Sequence, residues 1–365
     1  MKRHNRLKKH TLGLAAALLV TAGMSQIALA GDSVYVNTSS LRYRTSAQIK
    51  DNNIAGNLSY GQKLERVGTS GQWTMILLNG KKYYVSSAYV TSKKPASAGA
   101  VQTTSQTAAG AQTSGGTEIA LSSNYKYANY SKINSGTATL YRSTASNKKN
   151  KVVCVNAGHG TNGGGSVKTQ CHPDGSAKVT GGTTGAGATS AVAVSSGMTF
   201  ADGTAESKVT LAMAKVLKTK LLNAGYGVLM IRESDDVQLD NIARTVIANN
   251  NADCHIALHW DSTSSNKGAF FMSVPSNATY RAMEPVASHW KQHNQLGESL
   301  ISGLKSAGVK IYSKGSMEMD LTQTSYSTIP SVDIELGDKA SDHSGATLET
   351  LANGLLAGVN TFFGQ

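Results

Sequence analysis

Charge is scarce in this sequence: only 16% of its 365 residues are Asp, Glu, Lys or Arg. With 37 glycines and long Ser, Thr and Asn tracts filling much of the polar remainder, it specifies a surface that is polar without being densely charged. Cysteine is scarcer still. Cys154, Cys171 and Cys254 form no CxxC pair, which excludes a cysteine metal site. One disulfide with a thiol left over suits an oxidising compartment, but Cys154 and Cys254 lie in apolar strand-like runs that equally suit burial. There is no concentrated Lys/Arg stripe, helix-turn-helix or zinc-finger spacing, so nucleic acid is not an expected partner. Internal repeats are absent. The apolar run from Leu12 to Ala22 falls short of the roughly 20 residues of a membrane span, and Thr21, Gly23, Ser25 and Gln26 break it.

What is there begins with an address. Lys2, Arg3, Arg6, Lys8 and Lys9 precede that apolar run, and Ala28-Leu29-Ala30 follows as a small-x-small cleavage site, so residues 1–30 read as a secretory signal peptide. The expectation is a secreted, cell-wall-associated protein with no transmembrane anchor after cleavage; a retained anchor is the competing reading. Removing those five charges from the formal +13 leaves +8, so the mature chain stays basic. Outside a cell its anionic partners would be wall polymers or the membrane surface.

Residues 31–92 carry short strand-like pieces between turn signals, the pattern of a small all-β barrel. Asn79-Gly80, between TMILL and KKYYV, fits a two-residue hairpin turn because both residues tolerate positive φ. In SLRYRTSA, NLSYGQKLERV, Trp73 after a glycine, and YYVSSAYV, this segment resembles the bacterial SH3-like domain, which implies wall binding. Tyr43, Trp73 and Tyr84 are its candidate wall-binding residues, or else they fill a small core. Residues 93–117 form a low-complexity linker of Ala, Ser, Thr, Gln and Gly that cannot bury enough apolar area to fold. Residues 118–150, with tyrosines among Ser and Asn, read as a lead-in of uncertain structure.

From residue 151 to 365, strand-like and helix-like patterns alternate. Strands are expected at 151–155, 228–231, 254–259, 269–274 and 332–336, and helices near 204–223, 239–248, 285–306 and 344–362. This is an α/β domain with a mixed, mostly parallel sheet flanked by helices. The first helix shows an apolar stripe of Val209, Ala212, Met213, Val216, Leu217 and Leu221, with Gly225 as its stop.

Four residues fall at ends of these elements. His159 follows the first strand in VCVNAGHG, Glu206 opens the first helix, His259 ends CHIALH, and Glu335 ends SVDIE. In a parallel-type sheet such ends gather on one edge. Two imidazoles and a carboxylate suit a catalytic zinc, with a fourth position for water, and the second glutamate suits a general base. Two other histidine pairs are set aside. His255 and His259 on one strand stand about 13 Å apart, and His289 and His293 lack a carboxylate and read as a solvated helix face.

NAGHGTNGG at 156–164, AESKVTLAMAKVLKTKLLNAGYGVLMIRESD at 205–235, LDNIARTVIANNNADCHIALHWDS, and IPSVDIELGDKASD together resemble the zinc-dependent N-acetylmuramoyl-L-alanine amidases of the third class. The resemblance implies one Zn2+ held by His159, Glu206 and His259, Glu335 as the catalytic glutamate, and peptidoglycan as substrate. The bond cut would be the amide between N-acetylmuramic acid and L-alanine of the stem peptide, the activity of an autolysin. A zinc peptidase or deacetylase acting on peptidoglycan, or a non-catalytic wall-binding protein, remains open. The chain departs from this family in three places: Asn156 stands where Asp is usual, Asp333 where an apolar residue is usual, and residues 161–203 form an insertion that is either a lid or groove wall or a disordered surface segment.

Overall fold

The computed structural model describes residues 32–36, 40–48, 53–59, 61–94 and 115–365, so the expected signal peptide and linker residues 95–114 lie outside the described residues. The chain divides into two compact units, within residues 1–106 and 107–365. Among the described residues, no helix is long and apolar enough to cross a membrane.

The first unit is a seven-stranded antiparallel sheet of β1 (Asp32–Val36), β2 (Ser40–Arg44), β3 (Ile54–Ser59), β4 (Lys63–Ser70), β5 (Trp73–Leu78), β6 (Lys81–Ser86) and β7 (Val90–Thr91), ordered β3-β2-β6-β5-β4-β1-β7. Asn79 and Gly80 both have positive φ, 51° and 75°, and join β5 to β6 with Leu78 opposite Lys81, as the hairpin signal required. The unit is small, and its core of Val34, Val36, Leu41, Leu58, Leu64, Ile76 and Val85 comes from alternating strand positions.

The second unit is an eight-stranded mixed sheet covered by helices on both faces. Its strands are β8 (Thr117–Ala120), β9 (Thr137–Tyr141), β10 (Val152–Ala157), β13 (Gly227–Met230), β14 (Cys254–Asp261), β15 (Ala269–Ser273), β16 (Ile311–Glu318) and β17 (Ser331–Asp338), in the order β16-β15-β17-β14-β10-β13-β9-β8. A separate hairpin pairs β11 (Lys168–Gln170) with β12 (Ser190–Val192). The central pairs β13-β10, β10-β14 and β14-β17 are parallel, whereas β8-β9, β9-β13 and β15-β17 are antiparallel. The helices are α1 (Glu206–Asn223), α2 (Asn241–Asn251), α3 (Ala278–Ala282), α4 (Val286–Ser306), α5 (Thr322–Tyr326) and α6 (Gly345–Phe363).

Strand alternation sorts the sheet residues between two cores. Val153, Val155, Ile256, Leu258, Val332 and Ile334 face α1, α4 and α6 in the main core. Val152, Cys154, Leu229 and Ile231 face α2 on the other side. The intervening residues of β14 and β17, His259, Asp333 and Glu335, therefore share the face that carries α2, beyond the end of that helix's cover. The stripe of α1 differs at one position: Ala212 is exposed, and Leu211 and Ala214 are buried in its place. Gly225, at φ 98°, ends the helix where a Cβ would meet the Asn147 carbonyl at 2.2 Å.

The lead-in supplies two strands of the sheet, β8 and β9. Asp240 ties it down. One carboxylate oxygen caps α2 through Ala243 N–H, and the other accepts from Lys132 N–H, Ile133 N–H and the Ser131 hydroxyl at 2.6, 2.9 and 3.0 Å. β16 and α5 are also absent from the sequence reading. All three cysteines are free and buried, so no disulfide forms among the described residues.

Candidate metal centre

His159 owes its position to an unusual backbone. It leaves β10 with φ 64° and Gly160 follows with φ 72°, so the chain turns sharply and aims the imidazole across the sheet edge. Two buried guanidiniums hold that turn. Arg232 donates to the carbonyls of Ala157 and Gly158 at 3.0 and 2.8 Å, and Arg244 donates to the His159 carbonyl at 2.7 Å and the Thr161 hydroxyl at 2.8 Å. Burial lowers their pKa values to about 10 and about 9, yet both stay protonated at neutral pH. Neither arginine was singled out in the sequence, although each interrupts an apolar run, VLMIR and NIARTVIA.

The three expected ligands converge. His159 Nε2 lies 2.8 Å from Glu206 Oε1, and His259 Nδ1 lies 3.0 Å from His159 Nε2 and 3.2 Å from the same Glu206 oxygen. Ligand atoms of all three residues fall within 4.8 Å of one another, a group of the size that holds one metal ion. Orientation is fixed from behind. The carbonyl of Ser195 can only accept, so His159 Nδ1 carries the proton in their 2.8 Å bond and Nε2 is left with its lone pair toward the group. Glu206 accepts from Trp260 N–H through Oε1 and Met198 N–H through Oε2, at 3.0 and 2.9 Å. Close packing explains two glycines: a Cβ on Gly158 would stand 2.2 Å from the His259 ring, and one on Gly197 would stand 2.8 Å from the His159 ring.

In the parallel register Glu335 pairs with His259 and Asp333 with Ala257, so both carboxylates lie on the His259 face. Glu335 Oε2 and Asp333 Oδ1 are buried without a hydrogen-bond partner among the described residues. Burial pushes Glu335 well above the ordinary carboxylate range, and the neighbouring Asp333 adds to it. For His259, burial opposes the charged ring, but Asp333, Glu206 and Glu335 outweigh that and raise its pKa to about 10. The centre thus calls for positive charge, and two imidazoles with a carboxylate are the donor set that a borderline divalent cation prefers. The residues fit a metal.

His255 and His293 are structural. His255 is fully buried, which lowers its pKa to about 3, and lies 3.1 Å from the Asn156 amide. Neutral His255 accepts at Nε2 from the Asn156 amide, and Asn156 Oδ1 accepts from Arg244 at 3.2 Å. An aspartate at 156 could not donate to His255. The expected solvated face at His289 and His293 needs correction: His293 is buried, and its Nδ1 accepts from Ser331 N–H at 2.9 Å. The helix packs that side inward against β17.

The insertion at 161–203 is folded, and it walls the cleft. Its hairpin is anchored by the buried Asp320 carboxylate, which receives Val179 N–H at 2.8 Å, Thr180 N–H at 3.0 Å, His172 Nε2 at 3.0 Å, Lys178 Nζ at 3.1 Å and the Thr180 hydroxyl. Burial alone would raise Asp320, but these bonds hold it well below the usual carboxylate range. At the tip, a Cβ on Gly182 would lie 3.0 Å from the Met319 sulfur. The tip and Met319 border two cavities, of about 150 and about 430 Å³, both reaching His159, His259 and Asp333. Replacing Asp320 by Ala strands these donors, at a cost of about 3–5 kcal/mol. Limited proteolysis is expected to cut D320A first within residues 172–188; a digestion pattern unchanged from the parent would show that Asp320 does not anchor the hairpin.

The remaining candidates lie in the first unit. Tyr43 packs on its core, edge-on to Tyr83 at 4.9 Å, over the space a Cβ of Gly56 would need. Trp73 and Tyr84 are half-buried on β5 and β6.

A profile of the N-acetylmuramoyl-L-alanine amidase family matches residues 153–353. Similar solved structures include the amidase Ami1 from Mycobacterium smegmatis, at 18% identity and TM-score 0.49, covering 60% of this chain and 99% of that one. An N-acetylmuramoyl-L-alanine amidase from Clostridium difficile 630 aligns at 16% identity and TM-score 0.42, covering 59% of this chain and 97% of that one. AmiC2 of Nostoc punctiforme aligns at 15% identity and TM-score 0.42, covering 60% and 99%. No curated protein sequence matches the chain.

Proposed function

Because the chain belongs to the N-acetylmuramoyl-L-alanine amidase family, we propose that it is a secreted, zinc-dependent peptidoglycan hydrolase that cuts the amide between N-acetylmuramic acid and the L-alanine of the stem peptide. The observation that carries this reading is the convergence of His159, Glu206 and His259 within 4.8 Å beside a carboxylate of raised pKa, Glu335.

Zinc, held by these three residues, would supply Lewis-acid polarisation of the scissile carbonyl and lower the pKa of water at the site. The protein's own groups do the rest. Ser195 keeps His159 in one tautomer, the backbone N–H groups of Trp260 and Met198 hold the two Glu206 oxygens in place, and the His159 and His259 rings beside it keep Glu206 ionised against the cost of burial. Glu335 takes the proton from the attacking water and passes it to the leaving amine nitrogen. Its burial, with Asp333 beside it, raises its affinity for that proton. The wall formed by the insertion and Met319 confines the substrate to the side on which Glu335 lies. The first unit, which resembles an SH3-like module, would hold the enzyme on the wall, with Trp73 and Tyr84 as the more available contacts and Tyr43 given largely to packing.

The test is digestion of purified wall by the mature chain, with and without chelator. New free L-alanine amino termini, intact glycan strands and whole stem peptides are expected with zinc. Fragments cut within the stem peptide, or glycan that has lost acetyl groups, would overturn the amidase reading in favour of another hydrolase.

A further inference from the structure

The two imidazoles of the centre are supported differently, and the second support comes from a residue outside the expected set. His159 has its outer nitrogen held by the Ser195 carbonyl. His259 presents Nδ1 to Glu206 and His159, which leaves Nε2 as the nitrogen that carries the proton when Nδ1 serves as a ligand. The group facing that Nε2 is the Asp333 carboxylate, with Oδ2 at 3.6 Å.

We propose that Asp333 is a positioning residue for the metal centre: its carboxylate accepts the Nε2 proton of His259, fixes the ring with Nδ1 inward, and strengthens that nitrogen as a zinc ligand. The inference rests on the zinc reading above. A separation of 3.6 Å is an ion-pair contact, and a shift of under about 1 Å brings it to hydrogen-bond length. No competing hydrogen bond holds the carboxylate back through its other oxygen, since Oδ1 is buried with no hydrogen-bond partner among the described residues. Its nearest substitute is unavailable. Asn156, on the neighbouring β10, is committed to His255 and Arg244. Sheet register gives Asp333 its reach: it pairs with Ala257, two residues before His259 and on the same face, and the small alanine side chain leaves the space between them open. A carboxylate there is otherwise a costly choice, because that strand face is largely withdrawn from water.

Zinc affinity of the full chain, measured by competition with a chromogenic chelator, tests this directly. Asp333→Asn is expected to weaken zinc binding by about 10–100-fold. Asp333→Leu, with the apolar residue usual in the family, should fold readily and show the same loss. Melting of the zinc-free protein should stay at or above the parent for both variants, so that a loss of affinity is not a loss of fold. Glu335→Gln should keep its affinity, and His159→Ala should lose it. Affinity of both Asp333 variants within about twofold of the parent overturns the proposal. So does lost zinc-saturated turnover with affinity intact, which would make Asp333 the proton carrier. If His159→Ala binds zinc as well as the parent, the zinc reading fails and this inference with it; if only the Asp333 variants bind normally, the inference fails alone.

Discussion

Replacing Glu335 by Gln is expected to lower turnover of purified peptidoglycan by about 10²–10⁴-fold while zinc content stays at the parent value. The side chain sits beside His259 in the β14-β17 register without belonging to the three-residue ligand group. Its Oε2 is buried and has no hydrogen-bond partner among the described residues, which leaves that oxygen for a reacting proton. Burial, with Asp333 close by, pushes its pKa up. Glutamine preserves shape and polarity but cannot carry a proton, so the substitution separates proton transfer from packing. The loss should appear in kcat with KM little changed, because the interaction is made in the transition state. Wild-type kcat in E335Q would remove Glu335 from this role, and a parallel loss of zinc would make it a ligand.

Glu206→Gln is expected to abolish zinc uptake and activity together, and to destabilise the zinc-free protein as well. Each Glu206 oxygen accepts a backbone N–H, Oε1 from Trp260 and Oε2 from Met198. A carboxylate meets both donors, but an amide has one acceptor oxygen and turns its NH₂ toward the other N–H. A buried donor left facing a donor costs about 1–3 kcal/mol, and in a domain of this size each kcal/mol lowers the melting temperature by about 2–4 °C. Measuring the melt in chelator keeps this cost apart from the stability that bound zinc itself confers. Full zinc content in E206Q would take Glu206 out of the ligand set.

The catalytic unit was legible where one periodicity dominated. α1, α4 and α6 carry long apolar stripes, and β10, β13, β14 and β17 carry apolar runs, so their order and the mixed sheet could be read directly. The lead-in could not. Thr117–Ala120 is the edge strand and Thr137–Tyr141 its inner neighbour, both too short to show a clear period, and they are held by pairing with β13 and by Asp240 far along the chain. β16 is similarly exposed and polar. The insertion was obscure for a related reason: its order depends on the buried Asp320, which lies more than a hundred residues beyond it.

By itself the sequence determined the chain order of the strands and helices that carry His159, Glu206, His259 and Glu335, because periodicity marks each element; it set the strand ends too early, since β14 runs on to Asp261 and β17 to Asp338, which leaves His259 and Glu335 within their strands. It also determined the tight Asn79-Gly80 hairpin. Only the tertiary structure decided which nitrogen of each imidazole faces the metal group, since that depends on Ser195 and Asp333, brought in from other strands and loops. It likewise decided that Arg232 and Arg244 hold the His159 turn and that the insertion walls the cleft. Those are long-range polar contacts between single residues. They leave no period in the chain, and burial makes each of them costly to omit.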